Sequence, residues 1–350
     1  MWFRKKKTAN CGTVMKNADN ILEVDGLKVY FDTDEGTVKA VDGVSFEIPK
    51  NSTIGIVGES GCGKSVTSLA VMRLLQEPPG KICGGAMRFN MNGGAVDIAK
   101  MSQEQMRKIR GKNVAMIFQE PMTSLNPVFT IGEQMQEGIL LHEPDIRKPE
   151  LKEKVMRLLK EVGIARPEGV ASSYPHELSG GMKQRVVIAM ALSCNPQLII
   201  ADEPTTALDV TIQAQVLELM KELKEKINTS IMLITHDLGV VAEMADYVVV
   251  MYAGRVVEEG AVEEIFKDPR HPYTKGLLRS RPSGEKAGER LYSISGNVPN
   301  PVNLPDYCYF RNRCESSCEA CTGGYPELIN VSPTHKVSCH IGGNDYQTQA

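Results

Sequence analysis

The octapeptide Gly58-Glu59-Ser60-Gly61-Cys62-Gly63-Lys64-Ser65 has the spacing G-x-x-x-x-G-K-[ST], which suits a polyphosphate. Backbone N–H groups must turn inward around phosphate oxygens there, and glycine tolerates the angles this needs. Lys64 offers a point charge to the β- and γ-phosphates, and Ser65 a hydroxyl ligand for Mg²⁺. With Val66 they open a helix whose N-terminal end adds positive character. The bland alternative is a glycine turn with no ligand. Context disfavours it, because an apolar strand-like run, Ile54–Val57, precedes the loop and a helical pattern follows to about Leu75.

A second acidic element is Leu198-Ile-Ile-Ala-Asp202-Glu203-Pro204. An apolar strand ending in two carboxylates places Asp202 to hold Mg²⁺ through water and Glu203 beside the γ-phosphate. Glu203 is then a candidate general base, a role typically worth roughly 10²–10⁴-fold in rate. Alone, the pair reads as a solvated turn; the phosphate loop tips it toward function. A third element, Ser179-Gly180-Gly181, opens a helix starting at Met182 and resembles a second anion surface. One chain with one phosphate cradle has use for it if it serves the ATP of another subunit. The Asn-Lys-x-Asp motif of a guanine reader does not occur.

These residues need a scaffold that brings strand ends together. The segment from Ile21 to Ile48 is strand-like, with Gly26, Gly36 and Gly43 as turn signals. Residues 130–192 are mostly helical in pattern, interrupted by prolines. Val216, Leu219, Met220, Leu223 and Ile227 make one apolar helical face, and Ile231–Thr235 and Tyr247–Met251 are further apolar strands. Strands alternating with helices predict an α/β fold around a largely parallel sheet.

The chain has 350 residues, enough for about two domains. Its net charge of -3 provides no dominant basic field for nucleic acid. No apolar run approaches the roughly 18 residues of a membrane span. The basic start, MWFRKKKTANCG, is not followed by an apolar segment, so it does not read as a secretory signal, and a cytoplasmic location is expected. Five of the nine cysteines fall between Cys308 and Cys339, in the pattern C-x5-C-x3-C-x2-C-x17-C. An odd count without a signal argues against a disulfide scaffold and for a metal site. By spacing alone, Cys318 and Cys321 would be half of a zinc site.

Taken in order, the motifs resemble those of the ATP-binding-cassette (ABC) ATPases. Gln119, in Ile117-Phe118-Gln119-Glu-Pro, matches the Q-loop, which in the family contacts Mg²⁺ and reports to the membrane partner. Ser179, Gly180 and Gly181 match the signature loop, and Ala207-Leu208-Asp209 the D-loop that crosses a dimer interface. His236 matches the switch histidine that contacts the γ-phosphate, and Phe31, ahead of Tyr30, the aromatic that stacks on adenine. The resemblance implies a P-loop (RecA-like) ABC nucleotide-binding domain over residues 20–264, with a helical signature subdomain at about 121–192. Residues 1–19 are then a flexible tail and 265–350 a small Cys-rich extension.

Closer still, Phe118-Gln-Glu-Pro-Met-Thr-Ser-Leu-Asn-Pro127, His271-Pro-Tyr-Thr274 and Gly296-Asn-Val-Pro-Asn-Pro301 look like the ATPases of bacterial dipeptide and oligopeptide permeases, and within that group Pro121-Met-Thr-Ser and Met190-Ala-Leu look like the first (D-type) kind. That implies a heterodimer with a second ATPase subunit, two transmembrane permease subunits, an extracytoplasmic binding protein, and ATP sandwiched between subunits on the cytoplasmic face of the membrane. It also implies that Cys308, Cys314, Cys321 and Cys339 hold a [4Fe-4S] cluster, with Cys318 the extra. Zinc, or a simply reduced tail, is the alternative there. Importers of nickel, a glycoside or another small solute remain the alternative for the substrate. A non-transport ABC ATPase acting on DNA is disfavoured by the short separation of Glu59 and Ser179. Cys62, where the family often has serine, is a departure expected to bring some sensitivity to oxidation.

Overall fold

The computed structural model describes residues 14–91, 94–206, 208–280 and 292–342. Strands β1 (Asn20–Thr33) and β2 (Gly36–Pro49) form one long antiparallel hairpin. Gly26 and Gly43, read as turns, instead sit at positive φ within these strands, and the β1–β2 register shifts between Val24 and Leu27 and again between Leu27 and Lys28. A bulge uses a left-handed glycine as readily as a turn does, and buried Leu22, Val24, Leu27 and Val29 carry the ladder through it. Strand β3 (Thr53–Val57) and helix α1 (Lys64–Val71) flank the phosphate loop. Next come β4 (Gly80–Met91), β5 (Gly94–Asp97), α2 (Gln103–Ile109) and β6 (Val114–Ile117).

Five helices then follow without a strand: α3 (Pro121–Ser124), α4 (Ile131–Leu140), α5 (Lys148–Glu161), α6 (Pro167–Ser172) and α7 (Gly180–Leu192). Each apolar stripe is short, and they close on one another: Met135 and Ile139 of α4 and Val155 and Leu159 of α5 join Val186 of α7 in one cluster. The remaining elements are β7 (Leu198–Asp202), α8 (Val210–Ile227), β8 (Ser230–Ile234), α9 (Leu238–Met244), β9 (Tyr247–Tyr252), β10 (Arg255–Ala261), α10 (Val262–Lys267), α11 (Pro272–Arg279), β11 (Ile329–Asn330) and β12 (Lys336–Val337).

Two sheets result, one of four strands in the order β2-β1-β4-β5 and one of eight in the order β11-β12-β10-β9-β3-β8-β7-β6. From β9 to β6 every pairing is parallel, and the strands are buried on both faces, as their unbroken apolar runs require. Beyond β9 the pairings are antiparallel. None of the helices among the described residues is long and apolar enough to cross a membrane.

Both ends of the described chain are tied into the fold. Within the stretch read as a tail, Lys16 and Asn17 donate backbone N–H bonds to the Glu23 carboxylate, both at 2.8 Å, so the chain is tied down from Lys16 onward. Residues 1–13 lie outside the described residues. At the other end, β12 adds to the main sheet by pairing with β10, and Cys308, Phe310 and Cys321 share a core with Val57 and Tyr252. The extension is thus packed onto the nucleotide-binding fold.

Glu258 anchors that junction. Fully buried on β10, its carboxylate accepts the N–H groups of Arg270 and His271 and faces His335 Nε2 at 2.7 Å. His271 itself caps α11, its Nδ1 accepting from the Tyr273 N–H at 3.0 Å. Burial pushes the His271 imidazole down to about 4, against the opposing pull of Glu258. The unfolded chain takes up this proton near pH 6.5, the folded chain only near pH 4. Stability from this site is therefore fully present above about 6.5 and is lost as pH falls toward 4. At about 1.4 kcal/mol per pH unit this amounts to on the order of 3 kcal/mol. His271→Asn keeps a capping acceptor and should flatten the fall of Tm between these pH values; an unchanged slope would contradict the assignment.

Candidate functional site

Four neighbouring parallel strands end at one edge of the main sheet, and each delivers one of the residues singled out above. In spatial order, β3 runs into the phosphate loop, β8 into His236, β7 into Asp202 and Glu203, and β6 into Gln119. The carboxyl edge of an open parallel sheet is where such folds bind ligands. Residues distant in sequence meet there because strand order, not chain order, sets their spacing.

The phosphate loop has the shape its glycines allow. Gly58 has φ 152°, and a Cβ there would lie 2.2 Å from the Met251 carbonyl oxygen; Gly63 has φ 101°, with Ala40 O at 2.4 Å. Backbone is the obstacle in both cases, so any larger residue would force the loop off β9 or β2. As at any helix start, the first N–H groups of α1 have no intrahelical acceptor, which suits an anion. Lys64 is buried, its ammonium donating to Gly58 O (2.7 Å) and Glu59 O (3.0 Å). Cys62 is also buried, and burial pushes its thiol up despite the adjacent Lys64. A buried protonated thiol is unreactive, so the oxidation sensitivity expected of Cys62 finds no support in its surroundings.

Asp202 accepts hydrogen bonds from Ser65 Oγ (3.2 Å) and Ser68 Oγ (3.3 Å). Burial pushes its carboxyl above the usual range, with the two hydroxyls opposing. A hydroxyl and a carboxylate this close are hard oxygen donors, so Ser65 and Asp202 fit Mg²⁺. Glu203 follows in a left-handed conformation, φ 48°, locked by its N–H bond to Ile234 O at 2.8 Å. Such a backbone costs on the order of 1–3 kcal/mol, the kind of strain stored where a side chain must be aimed. Its carboxylate meets Thr206 Oγ1 (2.9 Å), Gln119 Nε2 (3.1 Å) and His236 Nδ1 (3.3 Å). Burial opposes ionisation, but the Thr206 hydroxyl and His236 outweigh it and hold the carboxyl below its ordinary value.

Other expected residues stand apart. Gln119 turns to Glu203 rather than to the Ser65–Asp202 pair. Ser179 and Gly180 are exposed; Ser179 caps α7 by accepting from the Met182 N–H, and Gly181 lies against Ile212. Asp209 caps α8 at an exposed position, accepting from the Ile212 N–H at 2.9 Å, while Ala207 lies outside the described residues. Tyr30 and Phe31 occupy opposite faces of β1. Tyr30 is engaged, its hydroxyl donating to Asp42 at 2.6 Å, whereas half-buried Phe31 lies beside Gly80. Ser60 and Gly61 form the exposed crown of the loop.

Two participants escaped the sequence reading, Ser68 and Thr206. Each lies three residues beyond a predicted site residue, Ser65 and Glu203, and one helical turn would have flagged the first.

The cysteines gather but do not converge. Cys318 Sγ and Cys321 Sγ are 3.6 Å apart. Burial pushes the Cys308 thiol up to about 11, with Cys321, Cys339 and Cys314 adding to it. Cys314 and Cys321 are raised for similar reasons. No group of three or more His, Cys, Asp or Glu side chains among the described residues is arranged to hold a metal ion. The expected ligand set Cys308, Cys314, Cys321 and Cys339 is thus not drawn together as a metal site among the described residues; Cys308 and Cys321 are buried, Cys314 and Cys339 half-buried.

Comparisons agree with this geometry. Residues 41–206 match the family model "ABC transporter", and residues 257–321 match "Oligopeptide/dipeptide transporter, C-terminal region". The chain is 52% identical to the oligopeptide transport ATP-binding protein AppD of Bacillus subtilis, over 92% of this chain and 96% of that one. It is 46% identical to the dipeptide transport ATP-binding protein DppD of Haemophilus influenzae, over 93% and 96%. Among solved structures, a dimeric ATP-binding cassette in a post-hydrolysis state with ADP and Pi superposes with a TM-score of 0.60 at 26% identity, covering 69% of this chain and 98% of that one. The sheet edge, the loop and both matched regions lead to one conclusion: the chain belongs to the ABC transporter ATP-binding proteins of the oligopeptide and dipeptide permease family.

Proposed function

We propose that the chain hydrolyses ATP to drive peptide import through a membrane permease, working from the cytoplasmic face. The observation that carries this is the C-terminal region, since it belongs to oligopeptide and dipeptide transporters and is continuous here with the ATP-binding fold. In this reading Lys64 and the loop Gly58–Val66 bind the phosphates, Ser65 and Asp202 hold Mg²⁺ with Gln119 nearby, and Phe31 stacks on adenine. Bound Mg²⁺ would neutralise charge on the phosphates. Glu203 takes a proton from the attacking water as oxygen bonds to the γ-phosphorus and the bond to ADP breaks, and His236 orients Glu203 and meets the γ-phosphate.

The exposed Ser179–Gly181 loop and Asp209 serve the ATP of a second, homologous ATPase subunit. Apolar side chains flank α4 on the surface, with Phe129 49% and Leu141 75% exposed, and these support contact with two membrane subunits. The five thiols support a soft metal, as a [4Fe-4S] cluster or zinc, that would have to draw Cys308, Cys314, Cys321 and Cys339 together on binding. Such a group would be a structural staple, because ATP hydrolysis requires no electrons.

Purifying the chain anaerobically from its own cells, with its neighbours, tests the assembly. Two membrane proteins and a second ATPase should co-purify, and hydrolysis should rise with peptide when the extracytoplasmic binding protein is supplied. Stimulation by nickel or a glycoside but not by peptide would contradict the peptide assignment. The same preparation should contain iron and sulfide or zinc, lost on Cys321→Ser; a metal-free preparation that retains all activity would remove the metal from the account.

A further inference from the structure

The phosphate loop is held from behind by the extension. Arg313 meets the Glu59 carboxylate with both terminal nitrogens, Nη1 to Oε2 at 2.6 Å and Nη2 to Oε1 at 2.9 Å, the fork geometry of a strong charged pair. The Arg313 side chain is 5% exposed. Its remaining donors reach Ser295 O at 3.0 Å, Ile294 O at 3.4 Å and the Tyr252 hydroxyl at 3.4 Å. From α11, the buried Tyr273 hydroxyl accepts the Glu59 N–H at 2.8 Å. Both the main chain and the side chain of Glu59 are thus fastened by residues more than 200 positions later in the sequence.

Glu59 matters because of what hangs on it. Its carbonyl accepts the Lys64 ammonium and the Cys62 N–H, so moving Glu59 moves the lysine and the crown of the loop. Its carboxylate also puts a negative charge beside a cradle built for anions. Unpaired, that charge would repel a polyphosphate through a partly buried, weakly screened path. Arg313 cancels it. Backbone hydrogen bonds fix where Arg313 stands: the turn Arg311–Arg313 lies between Cys308 and Cys314, with Arg311 N–H bonded to Cys308 O and Arg313 N–H to Phe310 O.

We propose that Arg313 and Tyr273 are positioning residues of the ATP site, holding and neutralising Glu59 so that the phosphate loop accepts a polyphosphate. The proposal rests on the assignment of the Gly58–Ser65 loop to ATP and extends the site into the C-terminal region. The test is ATP binding by the full chain, followed with a fluorescent ATP analogue, for Arg313→Ala, Glu59→Gln and the double variant, with Lys64→Ala alongside. Arg313→Ala should raise the Kd about tenfold, the lower end of what a lost charged pair commands. KM should rise with it while kcat at saturating ATP stays within about threefold. Adding Glu59→Gln should restore most of the affinity, since no carboxylate is then left unpaired.

A merely structural Arg313 would lower Tm without responding to Glu59→Gln. An Arg313→Ala Kd equal to wild type while Lys64→Ala weakens binding would overturn the proposal, as would a loss that persists in the double variant. An unchanged Kd for Lys64→Ala would overturn the loop assignment and the proposal with it. Should Arg313→Ala fail to fold, Tyr273→Phe removes only the hydroxyl that accepts from Glu59: a severalfold weaker Kd supports the proposal and an unchanged one overturns it.

Discussion

Glu203→Gln is expected to bind ATP normally and to hydrolyse it at least about a hundredfold more slowly, the low end of a general-base contribution. The substitution keeps volume and a carbonyl oxygen that Thr206 and Gln119 can still reach. What disappears is the proton acceptor. Thr206 and His236 hold the Glu203 carboxyl below its ordinary value, so it is ionised throughout the neutral range and the wild-type rate should not titrate through Glu203 between pH 6 and 8. Strain sharpens the argument, because a left-handed glutamate at φ 48° is retained where its aim matters. A Glu203→Gln rate within a few fold of wild type, measured as phosphate released in the assembled complex, would remove Glu203 from the chemistry.

Lys64→Ala should cost affinity instead, raising the Kd for ATP about tenfold to a hundredfold. The ammonium is buried and lies on the carbonyl oxygens of Gly58 and Glu59. To bind phosphate it exchanges these for phosphate oxygens. Without it, two carbonyl dipoles turn their negative ends toward the incoming anion with no cation between, so the loss combines attraction forgone with repulsion exposed. Direct titration checks this, and an unchanged Kd would mean that the loop does not hold phosphate. The two variants separate cleanly: one loses binding, the other loses turnover with binding intact.

Much of this site was legible in the sequence because its pieces are local. The loop Gly58–Ser65 and the strand ending in Asp202-Glu203 each declare their chemistry within eight residues, and apolar runs on either side reveal the parallel strands that carry them. Strand order was not legible: nothing in the residues themselves places β8 between β3 and β7, although that order sets His236 beside Glu203. Gly26 and Gly43 misled, since a left-handed glycine marks a bulge and a turn alike.

The contact of Arg313 with Glu59 spans 254 residues and has no local pattern to betray it. Thiol spacing alone does not tell how the sulfurs are arranged: no group able to hold a metal forms among the described residues, and burial raises the Cys308 and Cys314 thiols with neighbouring cysteines adding to it. Glu258 is the reverse case. The Glu258-Glu259 pair in a short strand reads as a solvated edge, yet Glu258 receives two backbone N–H groups and a histidine and ties the extension to the sheet.

In the proposed mechanism Lys64 and Glu203 divide binding and cleavage of one ATP at a single sheet edge. Its most direct test is the identity of the nucleotide held by the complex containing Glu203→Gln after incubation with ATP and Mg²⁺, released by acid and separated by chromatography. Intact ATP is expected in that variant and ADP in the wild type. ADP in both would contradict the mechanism.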